Sequence, residues 1–140
     1  MEIRLLEKKD KDEYLELINV FTREPKEITK EDFEKWYDLS FGQNALIYVL
    51  LQEDKIIGTG KLLLEYKFNN NLTVSGHVED IVVNSDYRGF GLGSVIVKYL
   101  INIGKEKRCY KIILSCNDKY LGFYEKCGFM RKGNEMCIYT

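Results

Sequence analysis

Arg88-Gly89-Phe90-Gly91-Leu92-Gly93 constrains this chain more than any other stretch. The run before it, Glu79-Asp80-Ile81-Val82-Val83, ends apolar and β-branched, which suits a buried strand. After it, Leu92, Val95, Ile96, Tyr99, Leu100 and Ile103 recur at offsets of three and four, the stripe of an amphipathic helix running to about Glu106. The local geometry is therefore strand, glycine-rich turn, helix. Alternate glycines let the backbone approach a ligand closely, and the amides that open a helix attract anions. A phosphate suits such a turn.

Spacing narrows the ligand. A P-loop would close on Gly-Lys-Ser/Thr, whereas Gly93-Ser94-Val95 stands here. The dinucleotide fingerprint would place a third glycine at position 94, which is Ser94.

At 140 residues the chain reads as one domain, 1–140, long enough to bury a core without staples. Charged residues at 31% and a net charge of −1 give no general pull toward nucleic acid or membrane. No apolar run reaches the length of a membrane span, and Met1-Glu2-Ile3-Arg4 lacks a signal-peptide core, so a cytoplasmic protein is expected. Cys109, Cys116, Cys127 and Cys137 match no zinc spacing and read as reduced, small hydrophobic residues. With His77 as the single histidine, no metal site is expected.

In chain order, Ile3 to Leu6 reads as a strand, and Asp10 as the cap of a helix bearing Tyr14, Leu17, Ile18 and Phe21. Pro25 interrupts before a second helix opened by Thr29, which carries Phe33, Trp36 and Tyr37. Ala45 to Leu51, a turn at Glu53-Asp54-Lys55 and Ile56 to Phe68 form a hairpin, and Asn69-Asn70-Asn71 a loop. Beyond the long helix, Lys111 to Cys116 reads as a strand. A short helix from Asn117 or Asp118 to Cys127 follows, ended by Gly128. Phe129 to Arg131 and Met136 to Tyr139 read as two last strands. A helix between two neighbouring parallel strands implies a mixed α/β sheet with a right-handed crossover.

The Arg-x-x-Gly-x-Gly turn resembles the coenzyme A pyrophosphate loop of the GNAT N-acetyltransferases, and the order of elements resembles their fold over nearly the whole chain. Three blocks resemble the branch acting on glucosamine 6-phosphate: Gly76-His77-Val78-Glu79-Asp80-Ile81-Val82-Val83-Asn84-Ser85, Cys109-Tyr110-Lys111-Ile112-Ile113-Leu114 and Phe123-Tyr124-Glu125-Lys126-Cys127-Gly128-Phe129. The fold so implied is an α/β (α+β) acyl-CoA N-acyltransferase fold. Its sheet is mixed and mostly antiparallel, flanked by helices, with a splayed parallel pair at its centre.

What the resemblance implies for the site is specific. Acetyl-CoA would be the cosubstrate, with no metal. Its pantetheine arm would lie along the backbone of Ile81, Val82 and Val83, and its pyrophosphate on Arg88, Gly89, Phe90, Gly91, Leu92, Gly93 and Ser94, with Ser115, Asn117 and Tyr124 also lining the coenzyme. Tyr124 would protonate the leaving thiolate, the Val82 amide would hold the oxyanion, and Glu79 and Asp80 would hold the sugar amine. Thr22, Lys67, Glu79, Asp80, Tyr110 and Lys111 would bind the amino sugar, some from the other half of a homodimer. The reaction would be direct attack in a ternary complex, feeding nucleotide-sugar synthesis, with no nucleic acid or membrane partner.

Two positions depart from that pattern. Ser115 stands where a carboxylate is expected, and Tyr139 where a phosphate-binding arginine is expected. They leave open acetylation of another small amine or a protein N-terminus, or a coenzyme-binding domain with impaired catalysis.

Overall fold

The computed structural model describes residues 1–21 and 27–140, so Thr22 and Pro25 lie outside the described residues. Five strands, β1 (Glu2–Leu5), β2 (Ala45–Gln52), β3 (Lys55–Tyr66), β4 (Val74–Val83) and β5 (Cys109–Ile113), form one sheet in the order β1-β2-β3-β4-β5. The first three junctions are antiparallel. Only β4 and β5 are parallel, and α4 (Leu92–Glu106) makes the crossover between them. The expected mixed sheet is thus present, but its parallel pair lies at one edge rather than at the centre, because among the described residues no strand pairs beyond β5. Glu53 and Asp54, at φ 50° and 62°, close the β2–β3 hairpin as a two-residue turn with both φ positive.

The two faces of the sheet are covered by different helices. On one, Tyr14 and Leu17 of α1 (Lys11–Ile18) and Phe33 of α2 (Lys30–Gly42) pack with Leu6 on Ile47, Val49 and Leu51. On the other, Leu92, Ile96 and Leu100 of α4 pack on Leu50, Leu62, Leu64 and Val78. The three- and four-residue spacing that puts these side chains on one stripe is what lets each helix bury an apolar face. Thr29 caps α2 as expected, its hydroxyl accepting from the Asp32 amide at 3.1 Å.

Four local expectations are corrected. Asp10 precedes α1 but does not cap it: its carboxylate accepts from Arg4 at 2.7 and 3.0 Å and from the Glu7 amide at 2.8 Å. A guanidinium fork offers two charge-assisted bonds, more than the helix amides could. The asparagine loop contains one helix-like turn, α3 (Asn69–Leu72), with Asn70 and Asn71 left-handed. β5 spans Cys109–Ile113 rather than running from Lys111 to Cys116, because its partner β4 leaves it. The expected strands at 129–131 and 136–139 do not form. Met130, Met136, Ile138 and Tyr139 are exposed, and the segment pairs with none of the five strands.

Candidate active site

The parallel ladder stops early. Pairing of β4 with β5 runs from Val74↔Cys109 to His77↔Ile113, and beyond it β4 continues to Val83 on β3 alone. Leu114, Ser115 and Cys116 diverge into the turn before α5 (Leu121–Lys126). A wedge therefore opens between the two strands, walled on one side by unpaired backbone of Glu79 to Val83. Such an edge accepts an extended ligand as an added strand would.

A bulge shapes that wall. Thr59 is registered with Val82 and Lys61 with Glu79, so Gly60 alone faces Asp80 and Ile81. Asp80 takes up the extra residue at φ 54°, a left-handed conformation that aspartate tolerates better than most side chains. Asn84 donates its amide to Ile57 O at 2.8 Å, and the Val82 carbonyl faces Gly58. Peptide groups alternate along a strand, so Val82 and Asn84 turn theirs to β3 while Ile81 and Val83 turn theirs to the wedge. The Val82 amide is thereby directed into the sheet. The amides facing the wedge belong to its neighbours.

Below the wedge lies the glycine turn. Gly89 and Gly91 have φ of 85° and 77°, and Gly91 is the N-cap of α4, whose first internal bond runs from Val95 N to Gly91 O. The left-handed cap frees the first amides of a 15-residue helix, at Leu92, Gly93 and Ser94, for an anion. Gly93 packs under α5: a Cβ there would stand 3.3 Å from the Phe123 ring. Arg88 Nε donates to Val83 O at 3.3 Å, which holds the guanidinium at the turn. Phe90 projects outward, and Leu92 is buried. The arrangement can cradle a pyrophosphate at the end of the exposed edge.

Tyr124 stands on α5, half-buried between Phe123 and Phe129, with edge-on ring distances of 4.9 and 6.0 Å. Gly128, left-handed at φ 101°, ends the helix, and Phe129 N donates to Tyr124 O at 3.1 Å. Burial, reinforced by nearby Cys116, Cys127 and Glu79, pushes the Tyr124 phenol up, so it carries its proton at neutral pH. Cys127 Sγ lies 3.8 Å from Ser94 Oγ, which ties α5 to the start of α4. Ser115 and Asn117 are exposed on the connecting turn.

On the α1/α2 face of β4, Glu79 and Asp80 are exposed beside the wedge. Farther down the same face, His77 Nε2 lies 3.0 Å from Glu65 Oε1 and Lys67 Nζ 3.8 Å from Glu65 Oε2. The His77 bond, with Lys67 and Lys111 nearby, holds the Glu65 carboxyl below the usual range. Lys111 Nζ also sits 5.4 Å from the Tyr110 ring centre. Lys67, Tyr110 and Lys111 thus gather near one another, whereas Tyr139 is exposed on the C-terminal segment. Two charged neighbours of the site were not singled out in the sequence: Glu65 among the lysines, and Lys61, whose Nζ is 3.1 Å from Asp80 Oδ2. The alternation Lys61, Leu63, Glu65 was the available signal, since period two places Lys61 and Glu65 on one face.

A strand splayed from its parallel partner above a helix-opening glycine turn is the frame of an acyl-CoA transferase. The chain belongs to the acetyltransferase (GNAT) family, whose sequence model matches residues 11–129. It is 44% identical over 115 residues to glucosamine 6-phosphate N-acetyltransferase 1 of Dictyostelium discoideum, covering 79% of this chain and 73% of that protein. To the Arabidopsis thaliana glucosamine 6-phosphate N-acetyltransferase it is 38% identical, covering 98% and 95%. The crystal structure of that Arabidopsis enzyme superposes with a TM-score of 0.90 over 99% of this chain and 97% of its own. A Trypanosoma brucei acetyltransferase structure, 33% identical, superposes at 0.95 over 99% of both chains.

Proposed function

We propose that this chain, acting as one acetyltransferase domain over residues 1–140, moves the acetyl group of acetyl-CoA to the 2-amino group of D-glucosamine 6-phosphate. The products are N-acetyl-D-glucosamine 6-phosphate and CoA. The observation that carries the reading is the unpaired edge of β4 ending at the glycine turn of α4, with Glu79 and Asp80 on one side and Tyr124 across the wedge. The names of the Dictyostelium and Arabidopsis relatives support the sugar.

In this reading Arg88, Gly89, Phe90, Gly91, Leu92, Gly93 and Ser94 hold the pyrophosphate, and Ile81 and Val83 pair with the pantetheine amides, while Ser115 and Asn117 flank the arm. Lys67 and Lys111 face the sugar phosphate as point charges, with Tyr110 beside the ring. The amine nitrogen bonds to the acetyl carbon, and a wedge-facing amide of Ile81 or Val83 stabilises the oxyanion. The C–S bond then breaks and the thiolate takes the Tyr124 proton, which Tyr124 regains from solvent. The proton shed by the amine passes to water held near Glu79 and Asp80. Positioning both substrates in one ternary complex supplies much of the rate.

The same reading makes the enzyme a cytoplasmic homodimer that supplies nucleotide-sugar synthesis. Exposed Met136, Ile138 and Tyr139 on a segment without a partner favour burial against a second copy. The test is acetyl-CoA-dependent thiol release over a panel of glucosamine 6-phosphate, glucosamine, spermidine, an aminoglycoside and a peptide N-terminus. The highest kcat/KM is expected for glucosamine 6-phosphate, and a higher value for any other amine overturns the substrate.

A further inference from the structure

Lys61 has no part in the mechanism above, yet it stands beside its carboxylates. It is registered with Glu79 across the β3–β4 ladder, and its Nζ lies 3.1 Å from Oδ2 of Asp80. Its side chain is 25% exposed and that of Asp80 53%, so the cation is the more sheltered member of the pair. The bulge brings this about: with Asp80 left-handed, its side chain turns toward Lys61.

Among the described residues, Glu79 on β4 is registered opposite Lys61, the Tyr14 phenol of α1 lies near Asp80, and the Tyr124 phenol of α5 lies near Glu79. Burial and the neighbouring Asp80 carboxylate keep the Tyr14 phenol protonated, and burial does the same for Tyr124. The acidic and basic side chains beside the wedge are therefore the carboxylates of Glu79 and Asp80 and the amine of Lys61. An acceptor amine arrives as an ammonium and must lose a proton before it can attack. Two uncompensated carboxylates would bind that ammonium tightly and resist its deprotonation. They would also favour polycations over an amine whose molecule carries a phosphate.

We propose that Lys61 is a specificity-determining residue. It holds Asp80 at the bulge and offsets the carboxylate field, so that a mono-amine sheds its proton in the site and polycationic amines are disfavoured. The inference rests on the amine-acetylation reading above and deepens it.

The test compares pH–rate profiles for wild type, Lys61→Met and Lys61→Arg with glucosamine 6-phosphate and with spermidine. For Lys61→Met the acid limb of kcat moves to higher pH by about half to one unit, as expected for removing one partly screened charge from the amine's surroundings. The spermidine-to-sugar ratio of kcat/KM rises several-fold, while Lys61→Arg retains both wild-type properties. Lys61→Gln repeats the comparison if the methionine variant fails to fold. An acid limb that stays in place while kcat falls evenly across pH overturns the proposal, because a purely structural role would give that result. A wild type that acetylates spermidine and not the sugar removes the sugar reading instead, and the limb displacement is then read on spermidine.

Discussion

Gly60 and Ile96 approach so closely that a single methyl group would not fit between them: a Cβ at position 60 would lie 2.7 Å from Ile96 Cγ2. It would also meet Ile81 Cδ1 at 2.8 Å and Leu100 Cδ1 at 3.0 Å. The same glycine stands opposite the Asp80 bulge, so the strand distortion that shapes the wedge and the seat of α4 share one position. Gly60→Ala is expected to cost roughly 1–3 kcal/mol of stability by overpacking. Denaturant midpoints check this, and an unchanged midpoint would mean that α4 can shift freely.

Gly91→Val tests the coenzyme turn. Nothing lies within 4 Å of the added Cβ, so the damage comes from the positive φ of 77° and from the approaching ligand. A β-branched residue resists that conformation, which would reorient the helix-opening amides. Titration calorimetry is expected to show acetyl-CoA affinity lowered at least ~10-fold, about 1.4 kcal/mol. Wild-type affinity in a folded variant would remove the turn from the site.

Tyr124→Phe keeps the ring between Phe123 and Phe129 and removes only the hydroxyl. Turnover is expected to fall ~10²-fold with acetyl-CoA affinity nearly unchanged, the size of one general-acid contribution. Equal turnover under conditions where chemistry limits the rate would exclude Tyr124 as the acid.

Asp10 gives the fold an acid-sensitive joint. Burial raises its carboxyl, but the Arg4 fork and the Glu7 amide outweigh burial and hold it below the usual range. With the folded value below the unfolded one, its contribution is complete above the ordinary carboxylate range. It is lost as pH falls through the folded value. Asp10→Asn is therefore expected to cost roughly 1–3 kcal/mol at pH 7 and much less near pH 2, read from urea unfolding at both. Equal losses at the two pH values would contradict the ion-pair account.

Legibility in the sequence followed the range of the interactions. The helix of Leu92, Ile96 and Leu100, the Thr29 cap and the Glu53–Asp54 turn depend on residues within a few positions, and each formed as its pattern implied. Asp10 had a cap's spacing, but Arg4, six positions away, outcompeted the helix amides for its carboxylate. Leu114-Ser115-Cys116 has β-forming neighbours, yet the Asp80 bulge carries β4 away and leaves those residues unpaired. The C-terminal residues Met136 to Tyr139 are an apolar run that suits a strand, but Met136, Ile138 and Tyr139 stay exposed and the run joins none of the five strands. The period-two spacing put Lys61 and Glu65 on one face, but their partners Asp80 and His77 lie on another strand and follow from the register of β3 on β4.

The most direct measurement of the central claim follows the acetyl carbon itself. Acetyl-CoA labelled with ¹³C at the carbonyl is incubated with the protein and glucosamine 6-phosphate, and the product is read by NMR. The account predicts one amide carbonyl coupled to the proton on the sugar's nitrogen, formed in step with free CoA thiol. Label that remains in the thioester, is released as acetate, or appears as an ester on a sugar hydroxyl would contradict it.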